Sequence, residues 1–117
     1  MTRLPTSYDT GRRAEQAAAE YLQAQGYHVV ARNWKTPRCE IDIVAHKDQT
    51  VYFIEVKYRV RDTQGSGLDY ITPRKLRQMH FAAEMWVQKT GFAGDYSLGA
   101  IEVAGPTFTV TEYLTDL

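Results

Sequence analysis

Two neighbouring segments with the composition of β-strands constrain this chain more than any other part of it. They read EIDIVAH, residues 40–46, and VYFIEVKY, residues 51–58, and the four polar residues KDQT separate them. Aliphatic, β-branched and aromatic residues favour strands, and so short a polar connection favours an antiparallel hairpin. The chain is therefore predicted to contain an antiparallel hairpin over residues 40–58.

The remaining segments predict a single α/β domain, since 117 residues suit one domain with one core. The first half should contain a flexible leader over 1–10, a helix within 10–27, a strand over 27–34 and the hairpin. The second half should contain a loop over 59–70, a helix, and strands over 96–103 and 107–114. Asp9 or Thr10 can cap the first helix and Gly26 can end it, and the second runs from Thr72 and Pro73 to Gly91. A strand, helix and strand in succession imply a crossover and a parallel pair. The predicted fold is a mixed five-stranded sheet flanked by two main helices, in the order α-β-β-β-α-β-β.

Composition excludes several classes of protein. No apolar run approaches the roughly 20 residues that span a bilayer, and the polar N-terminal segment lacks the apolar centre of a secretory signal. We therefore expect a cytoplasmic protein without a membrane segment. A single cysteine, Cys39, excludes an internal disulfide and a cysteine-rich zinc site.

The net charge of zero argues against a protein that coats nucleic acid through excess positive charge. The charge is nevertheless unevenly distributed. Between residues 57 and 77 the basic residues are Lys57, Arg59, Arg61, Arg74, Lys75 and Arg77, against Asp62 and Asp69. All charged residues from Gly91 onward are acidic. This pattern predicts one side that faces an anion, although ordinary surface charge remains an alternative.

Acidic residues lie inside the hairpin, where the sequence is otherwise most apolar. Because side chains alternate along a strand, the pattern predicts core positions at Cys39, Ile41, Ile43 and Ala45, with Glu40, Asp42, Val44 and His46 on the opposite face. Pairing the inner strand ends, 46 with 51, places Asp42 opposite Glu55, about 5 Å apart at Cβ. Like charges at such a distance destabilise a sheet unless something offsets them.

A divalent cation would offset this repulsion. Mg²⁺ prefers oxygen ligands, which Asp42, Glu55 and the backbone carbonyl of Val56 could supply. Lys57 shares the face of Glu55 and could hold a phosphate or orient an attacking water. The alternative is that the acids face solvent, where Glu55 and Lys57 would form a surface ion pair worth about 0.2 to 1 kcal/mol.

Glu15 lies in the first predicted helix, at the border of its apolar stripe. Its side chain could reach the sheet or turn outward to solvent, and helical geometry alone does not separate these alternatives. Glu20, in contrast, is predicted to point to solvent.

Several motifs together carry a resemblance to a known family. Asp42 followed by EVK at 55–57, with a glutamate in the preceding helix, resembles the PD-(D/E)XK nuclease superfamily. The segments GRRAE, ARNW, EIDIVA, IEVKYR and TPRK, in this order, look more closely like the YraN family of small bacterial proteins, which are similar to archaeal Holliday-junction resolvases. Ile41 stands where the superfamily signature has proline, and Cys39 where YraN relatives usually have glycine.

The resemblance implies a restriction-endonuclease-like core over residues 11–117 and cleavage of phosphodiester bonds in DNA that depends on Mg²⁺ or Mn²⁺. It carries over Glu15, Asp42 and Glu55 as metal ligands and Lys57 as the catalytic lysine. Branched or otherwise structured DNA is the favoured substrate. The basic residues Arg59, Arg61, Arg74, Lys75 and Arg77 are predicted to contact its phosphates.

A non-catalytic binding module with the same fold is the alternative function. In the second helix, Leu76, Met79, Ala83 and Trp86 form one apolar side, whereas Phe81 and Met85 lie nearly opposite them. This second apolar face could meet nucleotide bases, a protein partner or a second subunit in a homodimer.

Overall fold

Within the part of the chain that the structure describes, two helices and five strands follow one another in the predicted order. The computed structural model describes residues 6–60 and 69–117, so most of the predicted loop over 59–70 lies outside the described residues. The elements are α1 (Ser7–Ala24), β1 (His28–Thr36), β2 (Cys39–Lys47), β3 (Thr50–Arg59), α2 (Pro73–Thr90), β4 (Asp95–Ala104) and β5 (Thr109–Leu114). The predicted α/β fold class is confirmed.

The helix ends follow from local capping signals. Helix α2 has Thr72 as its N-cap and Gly91, with φ 73°, at its C-terminus, as predicted. Helix α1 begins earlier than predicted, because Thr6 is its N-cap rather than Asp9 or Thr10. The Thr6 hydroxyl accepts the N–H of Asp9 at 3.1 Å, and the Asp9 carboxylate accepts the N–H of Thr6 at 3.3 Å. Positions 7–10 of the predicted leader are therefore helical.

The five strands form one mixed sheet in the order β1-β2-β3-β4-β5. Strands β3 and β4, which α2 connects, are parallel, and the other neighbouring pairs are antiparallel. Asp48 and Gln49 form the tight turn between β2 and β3, with φ values of 50° and 70°. This turn sets the predicted register, in which His46 lies opposite Val51 and Ile43 opposite Ile54.

Each face of the sheet is covered by one helix. Helix α1 packs on a cluster that includes Ile43, Ala45, Ile54, Ile101 and Val103. Helix α2 packs on a cluster that includes Ile41, Val44, Val51, Phe53 and Leu98. Its own buried residues are Met79, Ala82, Ala83 and Trp86, close to the predicted apolar side.

The prediction that β2 has one core face was wrong. Ile43 and Ala45 lie under α1, but Ile41 lies under α2 together with Val44, which is completely buried. Strict alternation would have kept Ile41 and Ile43 on one face. The side-chain alternation of β2 therefore reverses between these two residues, at Asp42.

Candidate metal and nucleic-acid site

The reversal in β2 coincides with an unusual residue on β1. The pairs Arg32–Ile43 and Trp34–Ile41 flank a position where Asn33 lies across from Asp42. Asn33 has φ 53°, in the left-handed region that non-glycine residues rarely adopt and that asparagine tolerates better than most. Regular side-chain alternation is thus lost on the two strands at the same position.

The Asp42 carboxylate lies against the backbone of β3. Pairing between β2 and β3 extends from Lys47–Thr50 to Ile43–Ile54. One position further on, Asp42 Oδ2 accepts the N–H of Val56 at 2.8 Å. A side-chain oxygen here satisfies a backbone donor of β3. The hairpin therefore brings Asp42 to the backbone next to Glu55, although the ladder ends one pair before the predicted Asp42–Glu55 pair.

Acidic neighbours surround the Asp42 carboxylate. Burial and the charge of Glu55 raise the pKa of Asp42 from 3.8 to about 7, although the N–H of Val56 opposes this change. The charges of Glu15 and Glu40 raise this pKa further. The predicted ligands Glu15, Asp42 and Glu55 thus share one electrostatic neighbourhood. Glu40 was not predicted as a site residue, because the sequence showed only that it shares a strand face with Asp42.

Two of these acids are held by partners of their own. Glu15 does reach the sheet: its Oε1 accepts Asn33 Nδ2 at 2.7 Å and lies 4.0 Å from Arg32 Nη2. Glu55 Oε1 lies 2.9 Å from Lys75 Nζ, so its ion pair is with Lys75 rather than with Lys57. As these side chains stand, the described residues contain no group of three or more His, Cys, Asp or Glu arranged to hold a metal ion. Metal binding by Glu15, Asp42, Glu55 and the carbonyl of Val56 stays a prediction.

Lys57 lies beside an aromatic residue that the sequence did not single out. Its Nζ is 5.4 Å from the centre of the Tyr70 ring. The Tyr70 hydroxyl is buried and has no hydrogen-bond partner within 6–60 and 69–117. Burial and the charges of Glu55 and Asp42 raise the Tyr70 pKa above its ordinary value. Because Tyr70 belongs to the aperiodic segment before α2, no sequence pattern indicated that it would lie at this site.

A groove of about 520 Å³ runs between the start of β2 and the first half of α2. Its basic lining residues are Arg38, Arg74, Lys75 and Arg77, and it also contains Glu40 and Glu55. Phe81 lines it too and is 42% exposed. Three of the predicted phosphate contacts are thus grouped, and Arg61 lies outside the described residues. Arg38 was missed because a lone arginine in a turn carries no pattern.

Arg59 lies in a different environment from these basic residues. Its Nε is 2.6 Å from Oε2 of Glu102, which is only 5% exposed. Thr111 Oγ1 donates to Glu102 Oε1 at 2.7 Å. The structure therefore shows Arg59 in an ion pair within the sheet, and its contact with a phosphate stays a prediction.

The membrane prediction concerns the helices. Neither helix in the described ranges has the length and apolar character needed to cross a membrane.

Comparison with known proteins identifies the family. The profile of "Uncharacterised protein family UPF0102" matches residues 14–105, a range that contains the four acids and Lys57. A UPF0102 protein of Pseudomonas putida is 42% identical over 86 residues, which cover 74% of this chain and 69% of that protein. One from Hahella chejuensis is 39% identical over 89 residues, with 76% and 72% covered. One from Mycolicibacterium gilvum is 40% identical over 91 residues, with 76% and 74% covered. The chain therefore belongs to the UPF0102 family, the YraN family that its motifs indicated.

Proposed function

We propose that this protein is a metal-dependent endonuclease that hydrolyses phosphodiester bonds in DNA, with branched or otherwise structured DNA as its substrate. The observation that carries the proposal is the environment of the Asp42 carboxyl group. Its carboxyl group has a pKa of about 7 because it is shielded from solvent near three other acids, two of which, Glu40 and Glu55, line the groove with four basic residues. Perturbed acids next to an anion-binding groove are typical of sites for phosphate chemistry. A cytoplasmic location belongs to the same proposal.

The chemistry of the donor set suits Mg²⁺ or Mn²⁺, which prefer carboxylate and carbonyl oxygens. Glu15, Asp42, Glu55 and the Val56 carbonyl would hold the ion. Lys75 would have to leave Glu55, which half-buried ion pairs allow at modest cost. Once bound, the ion supplies an activated water and neutralises charge that develops at phosphorus. The acids repel one another at Asp42, and relief of this repulsion would favour binding of a cation.

Lys57 is the residue that we assign to charge stabilisation. Its ammonium group lies on the face of β3 that carries Glu55, beside the Tyr70 ring. There it would donate to a non-bridging phosphate oxygen, whose negative charge increases during attack by water. Arg38, Arg74 and Arg77 would hold flanking phosphates in the groove, which positions the strand without reading its sequence.

The decisive experiment is Lys57→Ala, tested on linear, flapped and four-way DNA with Mg²⁺ or Mn²⁺. Cleavage should fall about 100-fold or more, whereas the melting temperature and DNA affinity should stay near the parental values, since the contact matters mainly in the transition state. Lys89→Ala, at the far end of α2, removes the same charge and should cleave like the parent. Cleavage by Lys57→Ala at the parental rate, with the parental metal dependence, would refute the assignment.

The groove is tested separately by replacing Arg38, Arg74 and Arg77 with alanine. Lys75 is left in place because its removal would also unpair Glu55. DNA affinity should fall, and the slope of log affinity against log salt should flatten by up to about 3, since each phosphate contact contributes about 0.9. A matched triple replacement of Arg13, Lys47 and Lys89, outside the groove, removes the same net charge. An equal loss in both triple variants would place the DNA elsewhere.

A non-catalytic binding module is the second candidate function. It is favoured by the arrangement in which Lys75 already neutralises Glu55 and no three acids in the described ranges form a metal-binding group. In that case the groove and the exposed Phe81 would bind DNA, a protein partner or a second subunit without cleavage. DNA binding that depends on the groove, with no cleavage in any metal, would favour this function over the nuclease.

A further inference from the structure

Asn33 links the candidate site to helix α1 by a short contact. Its Nδ2 donates to Glu15 Oε1 at 2.7 Å, although the two residues lie on different elements. Arg32 also faces Glu15, but at 4.0 Å it is too far for a directional hydrogen bond. Among the contacts that the described residues make with Glu15, the asparagine amide is therefore the one that fixes the direction of the carboxylate.

The backbone at Asn33 makes a second demand on this position. With φ 53° inside a strand, the residue must tolerate the left-handed region, which glycine and asparagine do and β-branched or bulky residues do not. The contact with Glu15 requires a side-chain donor, which glycine lacks. Aspartate tolerates the backbone, but its carboxylate would repel Glu15. Asparagine meets both demands at once.

Asn33 also lies close to the acids of the candidate site. It lies across from Asp42, at the position where the side-chain alternation of β2 reverses. Asn33, Glu15, Glu40 and Asp42 also line one groove on the α1 side of the sheet. Asn33 thus combines two properties: its left-handed backbone lies across from the irregular position of Asp42, and its side chain holds Glu15.

We propose that Asn33 is a positioning residue, whose amide holds Glu15 beside Asp42 so that both carboxylates can serve one divalent cation. This inference rests on the proposed function, because the cation belongs to the proposed nuclease site. It adds a residue that would not contact the ion itself and would act through Glu15 alone. Such supporting groups commonly change metal affinity by about 10- to 100-fold when they are removed.

The test is Mn²⁺ binding by the full chain without DNA, measured by calorimetry and by the Mn²⁺-induced shift in melting temperature. Asn33→Gly keeps the backbone conformation and removes only the amide, so it should melt near the parent yet bind Mn²⁺ about tenfold more weakly. Asn33→Ala also lacks the amide and should show the same loss of affinity, with a lower melting temperature because alanine tolerates the left-handed backbone less well than glycine. Parental Mn²⁺ affinity in these variants would overturn the proposal.

A control and a double variant separate positioning from general packing. Gln16→Ala removes a neighbouring contact between α1 and β1, in which Arg32 Nη1 donates to Gln16 Oε1 at 2.7 Å, and should bind Mn²⁺ like the parent. Glu15→Gln should weaken binding, and adding Asn33→Gly to it should cause no further loss, because the amide acts through Glu15. Additive losses of Mn²⁺ affinity would contradict the proposal that Asn33 acts through Glu15.

The same measurements distinguish failure of this inference from failure of the proposed function. A parent that binds Mn²⁺ and cleaves no DNA would contradict the nuclease, while the affinity of Asn33→Gly would still decide the role of Asn33. A parent that binds no Mn²⁺ would overturn both. For a parent that cleaves, Asn33→Gly should need more Mn²⁺ to reach half of its maximal rate, with that maximal rate little changed.

Discussion

Two carboxylates in one sheet, the buried Glu102 and the partly buried Asp42, have opposite surroundings. Glu102 on β4 is 5% exposed, lies 2.6 Å from Arg59 and accepts a hydrogen bond from Thr111. Asp42 on β2 accepts the backbone N–H of Val56, and burial together with the charges of Glu55, Glu15 and Glu40 raises its pKa. The fold balances the first charge and leaves the second exposed to repulsion.

The difference indicates which of the two charges serves the fold. A buried charge is tolerated when a partner and hydrogen bonds compensate for its lost hydration, as at Glu102. An uncompensated carboxyl group instead raises its pKa, and the folded state becomes less stable whenever that group ionises. A site that costs stability in this way is retained where activity or ligand binding requires it. The contrast therefore supports assigning function to Asp42 and structure to Glu102.

The largest effect on stability should come from Glu102→Gln. Removing its charge breaks the short ion pair between Glu102 and Arg59 at a buried position, so we expect the free energy of unfolding to fall by about 2 to 4 kcal/mol. Urea denaturation measures this change. Glu112→Gln, at the cross-strand neighbour of Glu102, should change it by about 0.5 kcal/mol or less. Equal effects at both positions would contradict the conclusion that the ion pair of Glu102 stabilises the fold.

Asp42→Asn should have the opposite sign. The parental Asp42 has a pKa of about 7 in the folded state, against the ordinary value of 3.8 in the unfolded state. Below pH 4 both states are protonated, and between pH 4 and 7 the unfolded state releases its proton first, so the folded parent loses stability as pH rises. At pH 8 the asparagine variant should be about 1 to 3 kcal/mol more stable: a rise of about 3 pKa units at about 1.4 kcal/mol each sets an upper limit of about 4 kcal/mol, which the partial exposure of Asp42 reduces.

The pH dependence distinguishes this explanation from a packing effect. The amide oxygen of asparagine can still accept the N–H of Val56, so the hydrogen bond need not be lost. Denaturation curves at a series of pH values should therefore converge for parent and variant at pH 4. A variant that is less stable than the parent at pH 8 would mean that the Asp42 charge is compensated after all.

The smallest effect should be stabilisation by a divalent cation. At about ten times its dissociation constant, Mg²⁺ or Mn²⁺ should add about 1.4 kcal/mol to the parent. Asp42→Asn should lose this gain, whereas Glu102→Gln should keep it in spite of its lower starting stability. Melting curves with and without each cation measure the gain. A cation response that survives Asp42→Asn would separate the acidic cluster from metal binding.

Local signals in the sequence were sufficient to predict most of the fold. Helix α2 was bounded correctly because Thr72, Pro73 and Gly91 act on their immediate neighbours. The hairpin register followed from the short KDQT connection. The start of α1 was misplaced because Asp9 suits either an N-cap or, as it proved, the third helical position of a capping box that Thr6 begins.

The details of the site were less predictable, because they depend on contacts between distant segments. The reversal at Asp42 arises opposite a left-handed Asn33 on another strand, which strict alternation within β2 cannot reveal. The pairing of Lys75 with Glu55 depends on how α2 docks on the sheet. The ion-pair partner of Arg59, Glu102, likewise lies on β4, beyond the crossover, so the place of Arg59 at the start of the predicted loop could not indicate it.

The order of strands in the sheet has a consequence for folding kinetics. Because β2 and β3 are joined by a two-residue turn, closing this hairpin costs little chain entropy, whereas β3 and β4 can pair only after the whole α2 segment has been spanned. Asp42 and Glu55 should thus meet early, while water still surrounds both. The burial that raises the Asp42 pKa, and the approach of Glu15 on α1, would come after the rate-limiting step. A cation that binds this completed arrangement should therefore slow unfolding and leave the folding rate nearly unchanged.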